Sequence, residues 1–148
     1  MVDRQLDLSH CWARPVNCNL MASFMRALVF CTTCRFSRDE QVGPDGRTGG
    51  ETLIAEMEAL LRSRGRSDVN IERQACLWSC LRHCNLVFRD DQRFSYIAGD
   101  FRPERQAAEA ILEWFDLHGR SEAGTVPFRD WPRAMRGHFI ARIPPAKA

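Results

Sequence analysis

Residues 27–34 read ALVFCTTC, a short apolar run that ends on one cysteine and meets a second three residues later. A brief continuous apolar run bounded by loop residues is the pattern of a buried strand. The loop follows at once, since RFSRDEQVGPDGRTGG (35–50) is polar and rich in glycine. A helix comes next: Leu53, Ile54, Met57, Leu60 and Leu61 share one face at 3.6-residue spacing, and Gly65 stands where a helix stops. In DVNIERQAC (68–76), Val69 and Ile71 alternate with polar residues and predict a second strand. Two strands joined by a helix lie parallel with a right-handed crossover, so they end at the same edge of their sheet. Cys31 and Cys34 follow the first strand, while Cys76 and Cys80 follow the second. Topology alone therefore predicts that two cysteine pairs, distant in the chain, meet at one edge.

Beyond that edge, NLVFR (85–89) and RFSYIAG (93–99) read as a hairpin with Asp90 and Asp91 at its turn. Pro103 is expected to open a second helix, with Ala108, Ile111, Leu112 and Phe115 on its apolar face and Gly119 just past its end. The tail, VPFRDWPRAMRGHFIARIPP (126–145), holds loop and one more short strand. The expected fold is a single α/β domain over residues 25–148, with a four- or five-stranded mixed sheet and two main helices. Residues 1–24 show no periodicity and read as a loose extension, in which Cys11 and Cys18 are incidental.

A chain of 148 residues can bury a real core without cross-links. Hydrophobic residues make up 45% and charged residues 27%, the balance of a globular protein. The net charge of +2 argues against a general nucleic-acid binder, which carries a concentrated basic footprint. The most apolar window, LMASFMRALVFC (20–31), is too short for a membrane span and contains Arg26. With no basic start leading into an apolar run, the expected compartment is the cytoplasm, where thiols stay reduced.

Seven cysteines in a reducing compartment point to metal binding or redox chemistry before disulfides. Four thiolates from two loops suit tetrahedral zinc or an iron–sulfur cluster, because both take soft deprotonated sulfur. CTTC (31–34) with the wider CLWSC (76–80) departs from the paired short knuckles of a zinc ribbon and favours the cluster. A thioredoxin-like redox pair at Cys31 and Cys34 is the competing reading. It lacks an adjacent helix N-terminus to lower a thiol pKa, because the first helix begins well after Cys34. Buried cysteine acting as a small hydrophobe is the plain alternative.

Taken together, FCTTCR, CLWSCLRHC, YIAGD and the tail resemble an uncharacterised bacterial family of predicted metal-binding proteins of unknown function, over roughly residues 27–145. Its members often occur beside cobalamin-synthesis genes. Two cysteines after the first strand and CLxxC after the second also resemble the thioredoxin-like 2Fe–2S ferredoxins, a group that includes the cluster-bearing small subunit of respiratory NADH dehydrogenase. This resemblance implies a thioredoxin-like, ferredoxin-type domain carrying a 2Fe–2S cluster on Cys31, Cys34, Cys76 and Cys80. It implies a one-electron carrier for a redox partner protein, not an enzyme, and leaves a homodimer open. Zinc or cobalt handling is the alternative function, and zinc the alternative cofactor. Departures from those ferredoxins are the short first spacing, RHC (82–84) where small residues usually turn, and the Arg/Trp/Pro-rich tail.

Cys84 is a candidate fifth ligand or a redox thiol beside the site. In a helix, Cys76, Cys80 and Cys84 would lie along one face. Arg35 and Arg82 flank the cysteine motifs, where positive charge would stabilise an anionic cluster and raise its potential. His83 reads as an exposed loop histidine ahead of a ligand, and His118 as a residue of a helix C-terminus. Asp100 is expected to cap a turn. Arg129, Arg133, Arg136 and Arg142 suit either an acidic partner or solvent, with Trp131 packed on the core.

Overall fold

The protein is described by a computed structural model over residues 26–146. The expected extension at 1–24, with Cys11 and Cys18, lies outside the described residues. The chain runs β1 (Arg26–Cys31), α1 (Gly49–Ser63), β2 (Ile71–Gln74), β3 (Leu86–Asp90), β4 (Ser95–Ala98), α2 (Arg105–Arg120) and β5 (Phe139–Ile143). These strands form one mixed sheet in the order β2-β1-β3-β4-β5. β1 and β2 are parallel, with Leu28 opposite Ile71 and Cys31 opposite Gln74, and every other pair is antiparallel. The α/β class, the five strands and the two helices are as expected. β2 is shorter than its predicted span because its ladder to β1 stops at Gln74.

One face of the sheet carries the core. Leu28 and Phe30 of β1 and Leu86 and Phe88 of β3 are fully buried beneath Leu53, Met57 and Leu60 of α1 and Ile111, Leu112 and Trp114 of α2. Trp114 anchors this layer, with its ring 4.7 Å from those of Phe88, Tyr96 and Phe139. Truncating such a side chain costs about 3–5 kcal/mol through lost transfer energy and the cavity left behind. Trp131 joins the same cluster, donating from Nε1 to the Val126 carbonyl at 2.8 Å and packing on Phe139.

α1 starts at a full capping box. Thr48 Oγ1 accepts from Glu51 N at 3.2 Å, and the Glu51 carboxylate accepts from Thr48 N at 2.9 Å. α2 begins two residues after Pro103, with Glu104 at its N-cap. It also runs through Gly119 to Arg120, so the expected stop at Gly119 is corrected. Arg26 explains the glycine: its Nη2 donates to the Phe115 carbonyl at 2.6 Å, and a Cβ on Gly119 would stand 2.3 Å from its guanidinium. This glycine admits a neighbour; it does not end a helix.

His118 stands in the last turn of α2, as expected, and is fully buried under Tyr96 and Trp114. Its Nε2–H donates to the Phe94 carbonyl at 2.7 Å, and its Nδ1 has no partner. Burial pushes its pKa below the ordinary 6.5, so the native state keeps the ring neutral. As pH falls below 6.5 the unfolded chain gains the proton first, so this stability is present above that pH and lost beneath it. Urea midpoints should fall between pH 7 and pH 5, and His118→Gln should flatten that fall; an unchanged slope would refute the assignment.

Candidate functional site

The parallel pairing of β1 and β2 delivers both cysteine loops to one edge. Thr32 N donates to the Gln74 carbonyl at 2.8 Å and Thr33 Oγ1 to the Ala75 carbonyl at 2.5 Å, stitching the CTTC turn to the start of the second loop. Between the loops lies a cavity of about 230 Å³, lined by Cys31, Cys34, Cys80, Arg35, Arg82 and Asn85 among others. All five cysteines among the described residues are free thiols.

Cys31 and Cys34 form the buried wall of the cavity. The hydrogen bond between their thiols is the main reason that Cys31 is pulled down to about 5, against the opposing effect of burial. Cys34 is driven up by that same bond and by burial. Cys34 Sγ also accepts from the backbone N and the Nδ2 of Asn85, each at 3.3 Å. The other pair is exposed: Cys76 Sγ accepts from Trp78 N at 3.3 Å, and the neighbouring Cys76 pushes the Cys80 thiol up.

No group of three or more potential ligands converges to metal-holding distance among the described residues. Cys31, Cys34 and Cys80 line the cavity, and Cys76 does not. Their donors fit a thiolate-bound group in kind, since they are soft sulfurs with N–H groups directed at two of them. The segment between β2 and β3 has no helix, so Cys76, Cys80 and Cys84 do not share a helical face. It carries Trp78 and Leu81 almost fully in solvent.

Cys84 does not line the cavity. Its side chain is fully buried in the apolar core cluster, its thiol donates to the Arg35 carbonyl at 3.6 Å, and burial pushes it up to about 12. The backbone at Cys84 is left-handed, with φ 45°.

The first helix corrects a second expectation. Although α1 begins fifteen residues after Cys34 in the chain, its N-terminus folds back onto the CTTC turn. Gly50 N donates to the Cys34 carbonyl at 3.4 Å, and Thr48 Oγ1 donates to the Thr32 carbonyl at 2.5 Å. A Cβ on Gly50 would stand 1.8 Å from the Cys31 carbonyl oxygen, and one on Gly49 would be 2.2 Å from that of Arg35. The positive end of the helix dipole is thus seated against the turn, where it favours negative charge.

Arg35 and Arg82 both line the cavity. Arg82 Nη1 donates to Asp100 Oδ2 at 2.7 Å, so part of its charge is met by that carboxylate. Asp100 adopts φ 63° and stands 3.3 Å from His83 Nδ1. His83 is half-buried behind this pair and is not among the cavity-lining residues, unlike the exposed loop histidine expected.

Asn85 is the residue that sequence reasoning missed. It is buried, and beyond Cys34 its Nδ2 donates to the Ser79 carbonyl at 2.8 Å and the Arg82 carbonyl at 2.9 Å, bracing the second loop against the first pair. Its Oδ1 lies 2.1 Å from where a Cβ on Gly99 would be, which explains the glycine of YIAGD. Asn85→Ala should cost about 2 kcal/mol by leaving these carbonyls unmet, read as a lower urea midpoint with unchanged slope; a neutral variant would refute this bracing role.

No helix among the described residues is long and apolar enough to cross a membrane. Comparison with curated proteins and with solved structures finds no match. A family profile, described as a protein of unknown function (DUF1636), matches residues 28–145, which include all five of these cysteines. The chain belongs to the DUF1636 family.

Proposed function

We propose that this chain is a thioredoxin-like iron–sulfur protein that holds a 2Fe–2S cluster on Cys31, Cys34, Cys76 and Cys80 and passes single electrons to a partner protein. The observation that carries the reading is that Cys31, Cys34 and Cys80 line one cavity at one sheet edge, with Cys76 on the same loop as Cys80. The order β2-β1-β3-β4, with only β1 and β2 parallel, agrees with a thioredoxin-like core to which β5 is added.

When bound, the cluster would supply one-electron chemistry. The chain's own residues would do the rest. The Cys31 thiol is pulled down to about 5, toward the deprotonated form a metal takes. Asn85 directs two N–H groups at Cys34, and Trp78 directs one at Cys76; such bonds favour an anionic site and raise its potential. Arg35 and Arg82 add positive charge at the cavity wall. The exposed loop with Cys76 and Cys80 would close over the cavity against the buried pair. A reducing, cytoplasmic setting and a redox partner protein belong to this reading.

A second reading is favoured by one specific observation. Cys31 and Cys34 are hydrogen-bonded to each other beside a helix N-terminus, with Cys31 lowered to about 5, which suits a thiol–disulfide enzyme. Metal and sulfide analysis of anaerobically purified protein separates the readings. The cluster reading expects a coloured protein with iron and acid-labile sulfide in equal amounts. Colourless protein with stoichiometric zinc would overturn it in favour of metal handling. Metal-free protein with insulin reductase activity lost in Cys31→Ser would overturn it in favour of the enzyme.

A further inference from the structure

A second opening of about 500 Å³ is lined by Phe36, Arg38, His83, Arg102, Pro103 and Glu104 among others. It is built from three separate stretches: the loop after β1, the end of the cysteine loop, and the entry to α2. Neither Arg38 nor Arg102 has a carboxylate within ion-pair distance among the described residues, although most other arginines there do. The charge of Arg38 reaches His83, where it adds to burial in disfavouring the protonated ring.

Two guanidinium groups without acidic partners among the described residues therefore share one opening, with Glu104 the one acid lining it. Phe36 and Pro103 supply an apolar wall beside them.

We infer that this opening binds a small organic anion, with its phosphate or carboxylate head against Arg38 and Arg102 and a flat apolar body against Phe36 and Pro103. Guanidinium forks match either head in two-pronged hydrogen bonding. Asp100, which takes Arg82 at the cysteine cavity and faces His83 at this one, joins the two openings. The inference does not depend on what the cysteines hold.

The test is a titration of the full chain, as purified, with phenyl phosphate, benzoate and inorganic phosphate, followed by backbone amide NMR. Saturable shifts are expected at residues 36–38, 83 and 102–105, with phenyl phosphate tighter than inorganic phosphate because only it meets the apolar wall. Benzoate tighter than phenyl phosphate would keep the site and make its preferred head a carboxylate. The double variant Arg38→Ala/Arg102→Ala should weaken binding about tenfold or more, and each single variant less. Both arginines are exposed, so the variants should fold. Shifts that never saturate, that fall on the tail arginines instead, or that survive the double variant unchanged would overturn the inference.

Discussion

Gly50→Ala is expected to destabilise the domain by about 3 kcal/mol and to spoil the cysteine site at the same time. The added methyl would stand 1.8 Å from the Cys31 carbonyl oxygen and 3.1 Å from the Thr32 Cα, both backbone atoms that no rotamer change can move aside. Relief requires that α1 lift away from the end of β1. That would weaken the bonds from Gly50 N to the Cys34 carbonyl and from Thr48 Oγ1 to the Thr32 carbonyl, which seat the helix on the CTTC turn. Gly46→Ala is the comparison, because nothing lies within 4 Å of its Cβ and only its left-handed backbone, φ 78°, is penalised, by about 1–2 kcal/mol. Urea midpoints of the two variants measure the difference. Equal losses would mean that α1 is not held against the turn.

Cys31→Ser is expected to abolish metal and sulfide binding, whereas Cys84→Ala should leave both intact. Cys31 lines the cavity, its thiol pulled down to about 5. Cys84 faces the core, and its thiol is held protonated by burial. Its replacement by alanine removes one buried sulfur and should cost about 1–2 kcal/mol of stability by leaving a small void. Iron and sulfide content per chain, with circular dichroism to establish folding, reads both variants. Loss of iron from a folded Cys84→Ala protein would return Cys84 to the ligand set.

Periodicity and topology made the frame of this domain legible. The apolar run before Cys31, the 3.6-residue stripe from Leu53 to Leu61 and the hairpin around Asp90 each signal an element locally. The parallel crossover then follows from chain order alone, and with it the delivery of both cysteine loops to one sheet edge. Features made by tertiary contact were not legible. Gly119 resembles a helix stop, but its reason is Arg26, far away in sequence. The distance in sequence from Cys34 to α1 suggested a helix remote from the site, whereas the Gly49–Gly50 pair lets it return; the Thr48 and Glu51 capping box was the available signal for where it starts. Cys84 belongs to the same motif as Cys76 and Cys80, yet burial assigns it to the core. Asn85 had no signal of its own, because its partners come from Cys34, Ser79 and Arg82 together.

The central claim is that the two cysteine pairs jointly hold one redox-active cluster. Electron paramagnetic resonance of the anaerobically purified, chemically reduced protein tests it most directly. The account predicts a silent oxidised protein and, on reduction, a signal from one unpaired electron that disappears in both Cys31→Ser and Cys80→Ser. A protein silent in both states, or a signal that persists in either variant, would contradict it.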